Sequence, residues 1–313
     1  MQKEPLHSTS GPTEVTRRLP LSIVVATTKP WPEICACLDS LLKQANAVGA
    51  EILVADGHGR GMPDDGRESY EGVIWLKKLG ASVFGLRKLG MRQARGEIIA
   101  VTEDHCRVAP NWCEQIIQAH KDYPHAAAIG GAVENGATTS LMDWANFFLV
   151  FAPFVSPIRN GPCERICLQA NISYKRRVVS RMASHFGVME MLFTRQLRQE
   201  GEVLIADDRL LVSHVQSHGF WGTFAAHFHN GRSIAGFRLE ELGGMGRMLR
   251  LGSTAILSPY LLWSTLRALM SKQQVLGKVL ASLPLLALLV CCHAAGEFIG
   301  YMAGPGQSPQ RLA

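Results

Sequence analysis

Apolar and polar positions switch between two periods along the first half of the chain. The run LSIVVATT, closing on Thr27 and Thr28, is continuously apolar, as expected of a strand buried on both faces of a parallel sheet. In PWPEICACLDSLLKQ, Ile34, Cys37, Leu38, Leu41 and Leu42 fall at i, i+3, i+4, i+7 and i+8, which predicts an amphipathic helix. EILVA returns to strand character and stops at Asp56 in the glycine-rich DGHGRG. GVIWL and ASVFG read as short strands, Leu86 to Ala94 as a short basic helix, and EIIAVT as a buried strand that stops at Glu103, Asp104 and His105. Asn111 to His120 is a helix with Trp112, Cys113, Ile116, Ile117 and His120 on one stripe, and AAAIGGAVE is a further strand. This alternation predicts an open, mostly parallel α/β sheet sandwiched by helices. Ligands of such sheets bind beyond the carboxyl ends of the strands, so Asp56 and the Glu103 to His105 cluster mark a candidate site.

The second half is less periodic. SLMDWANFFLVFAPFVSP is aromatic-rich but too short to span a bilayer; it is expected either at a membrane interface or as a cap on the acceptor side of the site. Residues 166–215 are mixed, with a helix from about Met189 to Gln199. Two apolar stretches follow, LGSTAILSPYLLWSTL and the 25-residue run from Val279 to Ala303. As a helix the latter is about 37 Å long, enough for a bilayer core of about 30 Å. His293 and Glu297 are spaced to pair on one face of it. The chain divides into a loose leader (1–18), an α/β domain (19–245), a membrane-associated helical tail (250–304) and a flexible end (305–313).

Composition sharpens this picture. With 47% hydrophobic and 19% charged residues, the chain is neither disordered nor a coiled coil. The net charge of +6 does not indicate nucleic acid, because residues 251–313 supply +3 through Arg267, Lys272, Lys278 and Arg311 against Glu297. A membrane surface is the better partner for such a tail. The eight cysteines form no CxxC pair and are expected to be reduced thiols. The polar N-terminus predicts no signal peptide. Basic residues flank the first apolar stretch on both sides, Arg247 and Arg250 before it and Arg267, Lys272 and Lys278 after it. Counting positive charges then favours a re-entrant or interfacial first stretch over a two-span hairpin.

Strand–TT, strand–Asp56, and Arg87-Lys88-Leu89-Gly90 followed by Ala94-Arg95-Gly96-Glu97-Ile98-Ile99-Ala100-Val101-Thr102-Glu103-Asp104-His105 together resemble family 2 glycosyltransferases of the GT-A fold. The close of the chain, AAGEFIGYMAG, resembles membrane-associated bacterial members. The resemblance spans about Leu21 to Gly236. It implies that Glu103 and His105, with Asp104 between them, replace the family's DxD and hold a divalent cation, Mn or Mg, with histidine shifting the preference toward Mn. Asp56, and Thr27 less strongly, would contact the donor base. Arg87, Asp104 and Arg232 would serve the rest of the donor, with Lys88 in place of the usual asparagine beside Arg87. The pattern EDxxLxxRLRxxG places Glu190 as the catalytic base, with Met189 in place of an acid, and His214 would reach the metal or diphosphate.

The expectation is therefore an inverting glycosyltransferase at the cytoplasmic face of the inner membrane, using a nucleotide-sugar donor and a lipid-linked or envelope polysaccharide acceptor. Two alternatives stay open. One is a sugar-phosphate nucleotidyltransferase, although ATTKPWPE lacks its glycine-rich signature; the other is a noncatalytic membrane scaffold that kept the fold.

Overall fold

A computed structural model describes residues 19–59, 69–181, 190–240 and 242–312. The leader expected over 1–18, and Met189 ahead of Glu190, lie outside them. The chain runs β1 (Leu21–Thr27), α1 (Cys35–Val48), β2 (Glu51–Asp56), β3 (Val73–Lys77), α2 (Val83–Gln93), β4 (Ile98–Glu103), β5 (Cys106–Val108), α3 (Trp112–Asp122) and β6 (Ala126–Asn135). It continues with α4 (Leu141–Phe151), β7 (Gly161–Pro162), β8 (Ile172–Lys175), α5 (Arg176–Val179), α6 (Glu190–Gln199), β9 (Val203–His214), α7 (Gly219–Leu239), α8 (Gly244–Leu269) and α9 (Leu276–Ala303).

The strands form one sheet of order β3-β2-β1-β4-β8-β6-β9-β5, with β7 beside β9. The first four are parallel, as the apolar runs require. β8 is antiparallel to both β4 and β6, while β6 and β9 are again parallel. Every residue of β1 and β2 is buried, and Leu38 and Leu41 of α1 close the core on one side. Each such side chain contributes about 1.5–3 kcal/mol relative to exposure.

One expected strand is absent. ASVFG opens α2 instead: Ser82 caps it by accepting a hydrogen bond from the Gly85 amide, and Phe84, Leu86, Arg87 and Met91 are buried at helical spacing. Five residues carry no period long enough to separate the two states, and the cap at Ser82 decides it. α2 lies so close to β1 that a Cβ at Gly90 would overlap the Val24 side chain. Only glycine permits that approach, and it sets the height of Arg87 over the strand ends.

Register does the rest of the positioning. Thr27 pairs with Asp56 and Ala26 with Glu103, which brings three predicted site positions to one edge. On the other half of the sheet, Cys106 pairs with His214 and Val215 N–H donates to the His105 carbonyl.

The aromatic segment is α4, started by a capping box between Ser140 and Asp143. Its Phe147, Phe148 and Phe151 join the sheet core, and Met142 and Ala145 meet Leu286, Leu289 and Val290 of α9. α9, within a segment long and apolar enough to cross a membrane by length and composition, also packs on α7. There a Cβ at Gly231 would meet the His293 carbonyl, at Gly296 the Phe228 carbonyl and at Gly300 the Arg232 carbonyl. Small residues four apart on both helices, Gly231 and Ala235 against Gly296 and Gly300, permit this close seam. Glu297 sits beside it, 2.7 Å from Arg238 and 3.4 Å from His293. The end of the chain, expected to be loose, holds a 3₁₀ turn at Ser308–Arg311, with Ser308 and Pro309 buried and Ser308 bonded to His229.

His120 locks α3 to the sheet through Ser173 at 2.9 Å. Burial, with Lys175 nearby, pushes its pKa down to about 3. The unfolded chain therefore takes up this proton near pH 6.5 and the folded one only near pH 3. Its contribution is complete above pH 6.5 and is lost as pH falls toward 3, at about 1.4 kcal/mol per pH unit. In urea denaturation between pH 4 and 6, His120→Gln is expected to flatten the acid loss of stability by about that slope; an unchanged slope contradicts it.

Candidate active site

The carboxyl ends of β1, β2 and β4 and the end of β9 converge on one cluster. Glu103 ends β4, and the turn through Asp104 and His105 leads into β5, whose partner strand ends at His214. Thr27 Oγ1 donates to Asp104 Oδ2 at 2.7 Å, and Asp104 Oδ1 lies 2.7 Å from His105 Nδ1. Asp104 is thus occupied in orienting His105, with Lys29 at 3.9 Å. The other His105 nitrogen, Nε2, is 2.9 Å from His214 Nε2. Glu103 Oε2 lies 3.6 Å from the first and 3.4 Å from the second. Phe151 of α4 stacks against His214 with ring centroids 4.6 Å apart.

Burial opposes every charge here, and the neighbours decide the outcome. Burial raises the pKa of Glu103, but hydrogen bonds from His105 and His214 hold it well below the ordinary value. Burial lowers that of His105, yet Asp104 and Glu103 raise it to about 9, whereas for His214 burial prevails and the pKa falls.

The donor set suits a divalent cation. Two imidazole nitrogens and a carboxylate oxygen at 2.9–3.6 Å from one another match the spacing of about 3.0–3.4 Å between ligands that each lie about 2.1 Å from one ion. Cys106 Sγ completes the group of four donors within 4.8 Å, but burial and the charge of Glu103 hold its thiol well above the usual pKa, which leaves the nitrogens and the carboxylate as the better ligands. Asp104 behind His105 fixes the ring through Nδ1, the usual outer support of a metal-bound histidine.

Arg87 couples this group to the base expected on α6. Its Nη2 is 2.9 Å from Glu103 Oε1 and its Nη1 3.3 Å from Glu190 Oε2. All three are largely buried, Glu190 being 2% exposed. Burial raises the Glu190 pKa, with Arg87 opposing. Arginine orients one oxygen of the carboxylate, while the other, Glu190 Oε1, is buried without a hydrogen-bond partner among the described residues.

A second part of the site lies beside Asp56. Thr27, Lys29, Trp31, Ile34, Asp56, His58 and Trp75 line a small pocket. Asp56 Oδ1 accepts from the His58 and Gly59 amides at 2.8 and 2.9 Å, which fixes the carboxylate. Trp31 packs edge-on against Tyr70 and Trp75. His58 Nδ1 and Trp75 Nε1 are without partners among the described residues. Lys29, Trp31, Trp75 and Phe151 were not singled out from the sequence; only Lys29, two residues past Thr27, carried a signal that could have found it. Arg232 stands in another setting, on α7, where its Nε donates to the Gly304 carbonyl at 2.9 Å. Arg95 pairs with Glu51 at 2.8 Å, away from the cluster.

The site is an acidic and histidine cluster at the strand ends of an α/β sheet, and comparison with known proteins identifies the class of protein that carries it. The sequence model of glycosyl transferase family 2 matches residues 22–182, just over half of the chain. The chain belongs to that family, which sets aside the nucleotidyltransferase alternative. Among solved structures, a mannosyltransferase from Pyrobaculum calidifontis, PcManGT, in complex with GDP-Man and Mn2+, superposes with a TM-score of 0.53 at 15% identity, covering 92% of this chain and 88% of its own. The shared fold is GT-A. At that coverage the overlap takes in much of the helical region beyond residue 240. Comparison with curated protein sequences gives no match.

Two outcomes follow. Mn²⁺ titration followed by calorimetry should show one site that weakens at least tenfold in Glu103→Gln and in His214→Ala, since each removes one of three donors; equal affinity in both variants contradicts the assignment. Arg87→Met leaves two buried carboxylates without their cation and should cost about 3–5 kcal/mol in chemical denaturation, and a loss under 1 kcal/mol contradicts the bridge.

Proposed function

We propose that the chain is an inverting, metal-dependent glycosyltransferase that moves a sugar from a nucleoside diphosphate donor to a hydroxyl or phosphate of a lipid-linked or envelope acceptor. The observation that carries this reading is the Glu103–Arg87–Glu190 chain, which sets a candidate base one guanidinium away from a candidate cation site. The donor's diphosphate is anionic, and Glu103, His105 and His214 would hold a cation against it. When bound, that cation neutralises the charge that develops on the leaving diphosphate. The complex of the Pyrobaculum enzyme with GDP-Man and Mn2+ supports the choice of donor class and ion.

The residues of this chain divide the remaining work. Asp56, held by two amides, presents an acceptor to a base N–H, and Trp31 and Trp75 offer rings beside it. Asp104 keeps the His105 ring in place. Glu190 takes the proton from the acceptor hydroxyl at Oε1 as that oxygen attacks the anomeric carbon, on the face opposite the departing diphosphate. A single displacement of this kind inverts the anomeric centre. The long apolar C-terminal helix supports attachment to a membrane and hence a lipid-linked acceptor; the catalytic domain is assigned to the cytoplasmic side as part of the same proposal.

Thermal stabilisation by nucleotide sugars with Mn²⁺ or Mg²⁺ identifies the donor, since a ligand of the native state raises apparent stability. With that donor, Glu190→Gln should lower kcat by about 10²–10⁴-fold while donor-induced stabilisation is kept. Near-normal turnover removes Glu190 as base, and no metal-dependent release of nucleotide from the unsubstituted protein leaves the scaffold reading in place.

A further inference from the structure

Beyond residue 240 the surface changes character. α8 and α9 run antiparallel, joined through 270–275, and the outer side of the pair carries Met248, Ile256, Trp263, Leu280, Leu288 and Phe298, all exposed. Leu251, Ala255, Ala294 and Phe298 line an open groove between the two helices. Apolar surface this continuous is uncommon on a soluble chain and marks an interaction face. Its charge is one-sided. From Leu242 to Leu312 the sole acid is Glu297, buried against Arg238, while Arg247, Arg250, Arg267 and Lys278 reach the surface. The face is apolar in its middle, basic at both ends and without an exposed carboxylate, which is complementary to an anionic bilayer.

The inner side of α9 says how the bilayer is met. Val279 belongs to the sheet core, Leu286 and Leu289 lie on α4, and Gly296 and Gly300 lie on α7. The helix is therefore held to the catalytic layer along its length. Crossing a bilayer would strip those partners and carry His293 and Glu297 toward hydrocarbon, where ionisable groups are costly. It would also separate Arg247 and Arg250 from Arg267 and Lys278 across the membrane, against the usual asymmetry of basic residues.

We infer that α8 and α9 bind an anionic lipid bilayer lying flat, their outer face at the acyl boundary and neither helix crossing. This rests on the membrane association proposed above, but on no catalytic step. Phe224 packs beside the α4, α8 and α9 cluster and touches Phe220 and Trp221. Those two exposed rings open α7, five residues past His214, and bring the lipid-facing surface next to the strand end that carries the site.

Flotation of the purified full-length chain with phosphatidylcholine vesicles, with and without about 30% phosphatidylglycerol, tests the surface. Binding should rise about tenfold or more with the anionic lipid. It should fall comparably in Arg250→Glu/Arg267→Glu and in Ile256→Asp/Trp263→Asp, with unchanged thermal melting in detergent showing that both variants fold. Equal binding to both vesicles, or by both variants, overturns the proposal. Short protease-cleavable tags between Met270 and Ser271 and after Ala313 test the geometry in sealed membranes. Flat binding leaves both tags open from the side of the catalytic domain, whereas protection of either shows a crossing helix and overturns it. Neither assay reads turnover, so a chain that binds flat but transfers no sugar fails the catalytic reading alone.

Discussion

Two carboxylates, Glu103 and Glu190, are buried on the same guanidinium, and the catalytic end of the sheet is arranged around that fact. Ion pairs taken out of water gain less than they lose unless geometry is good and the remaining donors are used. Arg87 contacts Glu103 at 2.9 Å and Glu190 at 3.3 Å and lies 5.8 Å over the Phe84 ring, so its charge is shared and its plane is packed, although its buried Nε is without a partner among the described residues. It comes from neither strand that carries chemistry. α2 delivers it, and α2 reaches the sheet only because Gly90 has no side chain to strike Val24. A change at that glycine would therefore displace the candidate base and the candidate metal ligand together.

The candidate cation site has a different origin, since it joins the two halves of the sheet. Glu103 belongs to the parallel half. His105 is on the turn that leaves it, and His214 ends β9, over a hundred residues later. The pairing of Cys106 with His214 brings the two imidazoles to 2.9 Å. Phe151 then limits how far the His214 ring can swing. Local backbone pairing, rather than a long loop, supplies the precision that three converging ligands need.

Much of this was legible in the chain. The long apolar runs at Leu21–Thr27, Glu51–Asp56 and Ile98–Glu103 announced buried parallel strands because burial on both faces leaves no alternation to misread. The strand ends then located Asp56 and Glu103 without reference to any family. ASVFG was misread because five residues are too few to fix a period, and the deciding contact, from the Gly85 amide to Ser82 Oγ, is local but weak in the sequence. Family resemblance located Glu190 and assigned Arg87 to the donor, yet nothing in the sequence shows that Arg87 would bridge Glu103 and Glu190. Trp31, Trp75 and Phe151 carry no spacing that distinguishes a pocket wall from core, and only the folded chain separates them.

α7 connects the chemistry to the surface. It begins just past His214 and ends with Phe237 packed edge-on against Phe84, the ring under Arg87. Between those ends its glycine seam is pressed onto α9. One rigid helix thus touches the neighbourhoods of both candidate metal ligand and candidate base while forming the floor of the apolar layer. Such a helix leaves little freedom for the site to tilt relative to α9, because small-residue seams hold backbones at fixed distance. An acceptor with an apolar anchor held at that layer would meet the site at a fixed depth. Its choice would then depend on the distance from anchor to reacting hydroxyl as much as on contacts with the sugar.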